Sequence, residues 1–253
     1  MNWVVPIYSE PLILGYMLVL FRVAALVSLL PALGEVSIPT RVKLAVAICL
    51  TLIVFPLVPP VAAQDLNDST VFVLVISEIG IGLWFGLMLR VFVFSLQTAG
   101  SIAAQSTSLS QILGTAGVEP LPAMGHIMTM AGLALALALG LHVSAAKYLI
   151  GSYEMFPLGA LPEASDLVDA GVTQIAWGFR FAFTLAAPFF ILSMLYNLTL
   201  GVINRAMPQL MVAFVGAPVI TAGALILLTV SLPLILSSWA TALFSFIATG
   251  DLQ

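Results

Sequence analysis

Six long apolar runs recur along this chain, and they restrict its fold more than any other feature. They cover residues 12–30, 42–60, 71–96, 124–150, 175–203 and 209–249. At a rise of 1.5 Å per residue, each run is long enough as a helix to cross about 30 Å of bilayer hydrocarbon. We therefore predict an all-α integral membrane protein of about six long apolar helices, arranged in hairpins.

The composition supports this class and leaves little sequence for anything else. Hydrophobic residues make up 62% of the 253 residues and charged residues only 7%, whereas a soluble domain has about 25% charged residues. We expect one membrane domain, 1–253, in contact with membrane lipid. The sequence has no basic patch that would bind nucleic acid, and its single cysteine, Cys49, argues against disulfides and thiolate metal sites.

Prolines within the apolar runs predict breaks in some of the helices. Pro188 lies inside the fifth run, and Pro218 and Pro233 lie inside the sixth. A proline within a helix removes one backbone hydrogen bond and crowds the preceding turn. The sixth run has about 40 residues, which is too many for one upright span, so it predicts either a kinked hairpin or a long tilted helix.

Two ionisable residues lie deep inside predicted helices. Arg22 is in the middle of the first run, and Glu78 is about one third of the way into the third. A charge at mid-membrane costs about 2.5–3.5 kcal/mol on insertion scales, so it needs a partner or water. We predict that Arg22 pairs with Glu78 between helices; the alternatives are that Arg22 bonds backbone carbonyls or a partner subunit. Gly82 and Gly86 form a G-x-x-x-G step, which favours the close approach of another helix.

The charges in the connections indicate the orientation of the chain. Arg41 and Lys43 begin the second run, and Arg205 follows the fifth. Short basic loops are typical of the cytoplasmic side. The segment 151–174 is acidic and predicts an exposed loop, with one short amphipathic helix, on the opposite side. Six spans with the N-terminus outside fit this alternation.

One stretch between apolar runs is polar but almost uncharged. Residues 97–122 read QTAGSIAAQSTSLSQILGTAGVEPLP, with a single acidic residue. Hydrocarbon would penalise so many polar groups, and a loop in water would normally carry more charge. The composition fits either an interfacial connection between two spans or backbone that lines or blocks a water-filled passage. Ile112 and Leu113 could seal a narrow ring by excluding water, and Gly114 and Gly117 would let the backbone change conformation.

No residue set in the sequence indicates catalysis. There is no His-Glu-x-x-His, no Gly-x-Ser-x-Gly, no phosphate-binding glycine loop and no pair of carboxylates at hydrolytic spacing. We therefore do not expect an enzyme, a cofactor or a metal site. The classes that remain are a channel or conduit subunit, a secondary transporter and a structural membrane subunit.

Three segments of the sequence resemble one family. They are RVAALVSLLPALGEVSIPTRVK from Arg22, TAGSIAAQ from Thr98 and NLTLGVINRAMPQL from Asn197. These segments are similar to the flagellar biosynthetic protein FliR family, which includes the matching export-gate subunits of virulence type III secretion systems. The resemblance covers nearly the whole chain. Together with Glu78, the residues that we expect to matter for structure or assembly are Arg22, Arg41, Asn204, Arg205, Pro208 and Gln209.

The resemblance implies a function in protein export. It implies a subunit of the type III export gate at the flagellar basal body, in the bacterial inner membrane, that forms part of a conduit for unfolded flagellar substrates. Such a subunit would assemble with the FliP and FliQ subunits, with FlhB and FlhA alongside. The alternative is a secondary transporter or another membrane channel subunit. A transporter with broken helices should have interruptions paired in two similar halves, and this sequence has one dominant interruption.

The resemblance also implies a plug in the polar stretch. Family members carry a loop that closes the channel, and in this sequence the loop maps onto about Gln105 to Pro122. The residues expected to form this plug-like loop are Gln105, Ser106, Thr107, Ser110, Ile112, Leu113, Gly114 and Gly117.

Overall fold

The part of the chain that the structure, a computed structural model, describes is built from seven α-helices. It comprises residues 10–58, 68–106, 123–160, 164–207 and 212–250, and these contain no β-strand. The helices are α1 Glu10–Leu29, α2 Thr40–Val54, α3 Asp68–Ser106, α4 Ala123–Ala138, α5 Leu141–Met155, α6 Ala164–Ala206 and α7 Val212–Thr249. A 3₁₀ turn, Phe55–Leu57, follows α2 directly. The predicted all-α class is confirmed.

Most of these helices are long and apolar enough to cross a bilayer. By length and composition, α1, α3, α6 and α7 each qualify, and so does α2 together with its 3₁₀ turn. Helices α4 and α5 qualify only as a pair joined at a bend. The structure therefore confirms helices capable of spanning a membrane, five alone and up to six with the bent pair.

Two predicted boundaries between helix and loop are wrong. Helix α3 continues through Ser106, so residues 97–106 of the predicted polar loop are helical. Buried small residues explain this extension, because Ala99, Ala103 and Ala104 pack inside the protein and stabilise the helix beyond its apolar run. Helix α6 already begins at Ala164, so only a short connection remains of the acidic loop predicted over 151–174.

The predicted break at Pro188 is wrong, a single long helix is the alternative that the structure confirms for the sixth run, and the break that the structure shows lies at a glycine. Helix α6 is continuous through Pro188, and α7 is one helix of 38 residues that contains Pro233. A long helix tolerates the loss of one backbone hydrogen bond when its other bonds and its packing remain. The fourth apolar run, in contrast, is two helices that meet at Gly140, whose φ of 87° is a conformation that glycine adopts readily.

The chain divides into two compact units. Unit 1 comprises residues Met1–Arg90, Gly140–Gln174 and Phe246–Asp251, and unit 2 comprises Val91–Leu139, Ile175–Ser245 and Leu252–Gln253. The core of unit 1 includes the buried side chains of Val19, Val23, Leu26, Ile81, Phe85 and Leu89. The core of unit 2 includes those of Phe92, Leu96, Met128, Phe189 and Trp239.

Glycines bring α1 and α3 into close contact in unit 1. A Cβ atom on Gly82 would overlap the backbone carbonyl of Arg22, and one on Gly86 would lie 2.9 Å from Cβ of Leu29. Only hydrogen in place of a side chain allows the two backbones to approach this closely. The predicted role of the G-x-x-x-G step is confirmed, and the helix that approaches it is α1.

Glycines also close the helix contacts of unit 2. A Cβ atom on Gly100 would overlap the Cα atom of Gly125 in α4, so α3 and α4 touch backbone to backbone. A Cβ atom on Gly132 would lie 2.5 Å from Leu96 and 3.5 Å from the ring of Trp239. The indole Nε1–H of Trp239 donates a hydrogen bond of 2.7 Å to the carbonyl of Phe92. Unit 2 therefore combines close helix packing with one buried indole bond.

Candidate functional site

Arg22 and Glu78 form a buried ion pair in unit 1. Nε of Arg22 lies 2.6 Å from Oε2 of Glu78, and Nη2 lies 3.1 Å from Oε1. Both side chains are completely buried, with 0% of their surface exposed. Two parallel N–H···O bonds are the arrangement in which the planar guanidinium fits a carboxylate best. The predicted pairing between helices is confirmed.

The turn after α5 satisfies the remaining polar atoms of this pair. Nη1 of Arg22 donates to the carbonyl of Phe156 at 2.8 Å and to that of Ser152 at 3.3 Å. Oε1 of Glu78 accepts a hydrogen bond of 2.9 Å from the backbone N–H of Gly159. Arg22 thus combines two of the arrangements considered from the sequence, because it bonds an acid and backbone carbonyls at the same time.

A tyrosine ring completes the surroundings of the guanidinium. The Cζ atom of Arg22 lies 4.0 Å from the ring centroid of Tyr153, a distance typical of a cation–π contact. The carbonyls that Arg22 reaches belong to the C-terminal end of α5, where the helix dipole is negative. We refer to Arg22, Glu78, Tyr153 and the turn 156–160 as the arginine centre. It joins α1, α3 and α5 at one point.

Further hydrogen bonds attach α3 to the turn 156–160 and to the first turns of α6. Oγ of Ser77 donates to the carbonyl of Ala160 at 2.7 Å, and Nε1 of Trp84 donates to that of Leu167 at 3.1 Å. Nε2 of Gln174 donates to the carbonyl of Met88 at 3.2 Å. Along these three bonds the residue numbers rise in the same direction on both segments, so in unit 1 the start of α6 runs parallel to α3. These directional bonds fix the register between the two segments.

A second ion pair holds the connection between α1 and α2. Nη1 of Arg90 lies 2.6 Å from Oε1 of Glu35, and Nζ of Lys43 donates to the carbonyl of Gly34 at 3.0 Å. A Cβ atom on Gly34 would lie 2.7 Å from the carbonyl oxygen of Ser28, so the tight turn requires glycine. The pairing of Arg90 with Glu35 could not be predicted from the sequence, because nothing in the spacing of loop and helix residues signals it.

Close contacts in unit 2 fix both helices that flank the polar stretch. Gly100 in α3 lies against Gly125 in α4, and Oγ of Ser193 donates a hydrogen bond to the carbonyl of Ser106, the last residue of α3. Nδ2 of Asn197 donates in turn to Oγ of Ser193 at 3.2 Å. The end of α3 and the start of α4 are therefore held in place where the polar segment leaves and returns.

The structure describes only part of the predicted plug and assembly residues. Gln105 is exposed and Ser106 is half-buried at the end of α3. Arg41 is exposed at the start of α2, and Asn204 and Arg205 are exposed at the end of α6. The other predicted residues lie outside the described ranges, namely Thr107, Ser110, Ile112, Leu113, Gly114, Gly117, Pro208 and Gln209.

The described residues include no group of three or more His, Cys, Asp and Glu side chains that could hold a metal ion. What they do contain is a fully satisfied ion pair and a set of tightly packed helices. This arrangement can fix helices in one register.

Comparison with known proteins identifies the family. Residues 13–246 match the family of bacterial export proteins, family 1. The chain belongs to this family. The resemblance that three motifs predicted is therefore confirmed over nearly the whole sequence.

Individual relatives match at similar lengths. The flagellar biosynthetic protein FliR of Caulobacter vibrioides is 34% identical over 230 residues, 88% of this chain and 90% of that protein. FliR of Escherichia coli is 31% identical over 220 residues, 85% of this chain and 83% of that protein. The Yop proteins translocation protein T of Yersinia pestis is 26% identical over 223 residues, 86% and 85% of the two chains. These matches do not favour the transporter alternative.

Proposed function

We propose that this protein is a structural subunit of the flagellar type III export apparatus in the bacterial inner membrane. The observation that carries the proposal is the match to bacterial export proteins over 13–246, with a FliR protein 34% identical over 88% of the chain. The helices capable of spanning a membrane support a membrane location. In this function the chain forms part of a conduit for unfolded flagellar substrates and catalyses no reaction itself.

The partners that we propose are the FliP and FliQ subunits, with FlhB and FlhA alongside. Exposed apolar side chains support an assembly of this kind in a membrane. On α1 and α2, Leu12 is 55% exposed and Leu52 and Ile53 are 60% exposed. Apolar surface of this extent is unfavourable in water, so lipid or partner helices must cover it.

We propose that the arginine centre keeps unit 1 competent for assembly. Its bonds join α1, α3 and the end of α5, so a partner would meet these helices in one fixed arrangement. A buried ion pair is favourable only while all its polar groups are satisfied, and here both charged groups are. Loss of either charge would therefore disturb the whole centre and not one helix alone.

For the polar segment 107–122 we propose a role as a plug of the closed conduit. The fixed helix ends on either side of it, at Gly100, Ser106 and Gly125, support this role, since a plug needs rigid attachment. Shortening 107–117 while retaining Ser106 should leave the subunit in the membrane and make the membrane leak ions when secretion is idle. Replacing Ile112 and Leu113 by serine should give a milder leak. Normal assembly with a tight membrane would make the segment an ordinary connector.

Deletion of the gene tests the proposed function. We expect loss of motility and loss of hook-protein export, both restored by the intact gene on a plasmid. A Cys49→Ser copy provides a control that should also restore both, since the thiol has no proposed role. Export that persists in the deletion strain would contradict the proposal. Normal motility together with the loss of a different set of secreted proteins would assign the chain to the type III secretion branch of the Yersinia relative. Solute transport by the isolated chain in liposomes would favour a transporter.

A further inference from the structure

The outward face of α6 carries two exposed arginines separated by a long uncharged segment. Neither Arg180 nor Arg205 forms an ion pair with another residue that the structure describes. They are about 25 residues apart, which places them about 37 Å apart along the axis and, at about 100° per residue, on nearly the same face. Residues 181–204 between them carry no charge.

The side chains on this face change character at Arg180. On the C-terminal side they are large and apolar, with Phe183 63% exposed, Met194 65% and Leu198 66%. On the N-terminal side, about seven and eleven residues before Arg180, the same face presents exposed Thr173 and Asp169. On the strip of α6 that carries the two arginines, the polar positions thus end at Arg180, while exposed apolar side chains such as Val172 and Phe179 continue beside this strip on the N-terminal side.

Helix α7 changes character at the same level. Only residues 207–211 connect it to α6, so the two helices are antiparallel. A Cβ atom on Gly223 would lie 3.9 Å from Leu192, so these two positions lie at the same level. Arg180 precedes Leu192 by about as many residues as Ile235 follows Gly223. In antiparallel helices, Arg180 and Ile235 therefore also lie at about the same level. The large exposed apolar side chains of α7 end just there, with Val230 at 74% and Leu234 at 71%. The exposed residues that follow are Ser237, Ser238 and Thr241.

We propose that residues 181–204 of α6 and 219–234 of α7 form a belt that contacts bilayer lipid, with Arg180 and Arg205 at the phosphate groups of opposite leaflets. The hydrocarbon of a bilayer is about 30 Å thick, and about 40–45 Å with its headgroups. The spacing of the two arginines, about 37 Å, falls between these values. Arginine at the end of such a segment extends its guanidinium to the anionic headgroups while its methylene groups stay in the apolar region.

The distribution of small and large residues favours lipid over a partner helix. Interfaces between membrane helices are rich in small residues, because close backbone approach gives the packing energy there. On α6 the small residues Gly178, Ala182 and Ala186 face the interior of unit 2. The exposed side chains of the belt are mainly bulky Phe, Ile, Met, Leu and Val, with the polar Thr184, Asn197 and Thr199 among them, and two cations at its edges match phosphate. This inference does not depend on the export function.

Spin labels at single cysteines test the belt in the full chain in its own membranes. On a Cys49→Ser background, three variants are compared, Ile191→Cys in the belt, Thr173→Cys on the same helix beyond Arg180, and buried Ala186→Cys. Molecular oxygen concentrates in lipid and a nickel chelate in water. We expect the label at 191 to collide mostly with oxygen, the label at 173 mostly with nickel, and the label at 186 weakly with both.

Each other outcome at position 191 overturns the proposal. Weak collisions with both reagents, as at 186, would mean that a partner protein covers the belt. Strong collisions with the nickel chelate would mean that water reaches it.

A further variant tests the edge of the belt, because Arg180→Leu lengthens the uncharged segment and should draw position 173 towards lipid. We expect the nickel collision rate of the label at position 173 to fall at least twofold in this variant. An unchanged rate would mean that Arg180 does not mark the boundary of the belt. Recovery of each labelled chain in the membrane fraction at the amount of the unlabelled chain shows that it is folded.

Discussion

The two compact units differ in how they bury polar groups. Unit 1 encloses a complete ion pair, Arg22 with Glu78, at zero exposure. Unit 2 has only three charged residues in its sequence, Glu119, Arg180 and Arg205, and the described ones among them are exposed. Its buried polar side chains include Ser95, Thr129 and Ser193. Most charges of the chain therefore belong to unit 1.

This difference shows two ways to fix helix packing without water. In unit 1, directional bonds between charged and polar groups select one register, and a missing partner would leave a charge alone. In unit 2, close contacts at glycines, such as Gly100 on Gly125, select the arrangement by shape. Substitutions should therefore act through electrostatics mainly in the first unit, whereas overlap at glycines acts in both, since Gly82 and Gly86 pack against α1 in unit 1.

The largest effect should come from Arg22→Ala in unit 1. The substitution leaves Glu78 buried without its partner, which costs about 3–5 kcal/mol of the free energy of unfolding. We expect the amount of chain in membranes to fall severalfold and the midpoint of thermal denaturation of the purified complex to fall. Lys147→Ala removes an exposed cation of the same unit and should change neither quantity. Equal stability of the two variants would contradict the importance of the buried pair.

Steric substitutions should have the next largest effect. Gly100→Ala in unit 2 places a methyl group on the backbone of Gly125, and overpacking of this kind costs about 1–3 kcal/mol. Gly80→Ala in unit 1 is the matched control, because beyond the backbone of its own helix no atom of the described residues lies within 4 Å of the added Cβ. There the greater helix propensity of alanine should stabilise by about 0.5–1 kcal/mol. Thermal denaturation of the purified complexes measures both, and a destabilised Gly80 variant would refute this distinction.

Loss of an indole hydrogen bond should have a smaller effect on the free energy of unfolding, and the effect should differ between the two units. Trp239→Phe removes a fully buried N–H donor to Phe92 and should cost about 1–3 kcal/mol. Trp84→Phe removes the bond to Leu167 at a half-buried position, where water or lipid headgroups compensate more easily, so its cost should be lower. The same denaturation measurement compares them. A greater loss of stability for Trp84→Phe than for Trp239→Phe would show that exposure does not determine the cost of losing these bonds.

The smallest effect should follow from Tyr153→Phe. The ring that contacts Arg22 remains, and the hydroxyl that is lost has no hydrogen-bond partner among the residues that the structure describes. Removal of such a group should change the free energy of unfolding by less than about 1 kcal/mol. Tyr153→Ala removes the ring as well and should destabilise by about 3 kcal/mol or more. Similar losses in the two variants would mean that the hydroxyl has a partner after all.

Features that depend on apolarity and on isolated charges were predictable from the sequence. The apolar runs predicted the helices, because hydrocarbon leaves the backbone few other arrangements. The pairing of Arg22 with Glu78 was predictable because each charge lies at depth and few partners exist there. The step from Gly82 to Gly86 predicted a close helix contact, although it could not name α1 as the approaching helix.

Features that depend on tertiary packing were not predictable in this way. Helix α3 extends to Ser106 because small residues pack there, which the polar composition hides. The bend at Gly140 lies inside an apolar run that shows no proline, whereas Pro188 leaves α6 unbroken. The turn 156–160 joins the arginine centre through backbone atoms, and backbone atoms leave no side-chain signal in a sequence.

A double-mutant cycle at the arginine centre measures whether Arg22 and Glu78 act as a pair when the protein supports export. The measured quantity is hook protein exported by a deletion strain that carries Arg22→Ala, Glu78→Ala or both. We predict that each single variant exports at least tenfold less than the intact chain, since each leaves one buried charge alone. The double variant should recover part of the export, because it leaves no unpaired charge. Strictly additive losses, or single variants that export normally, would contradict the account.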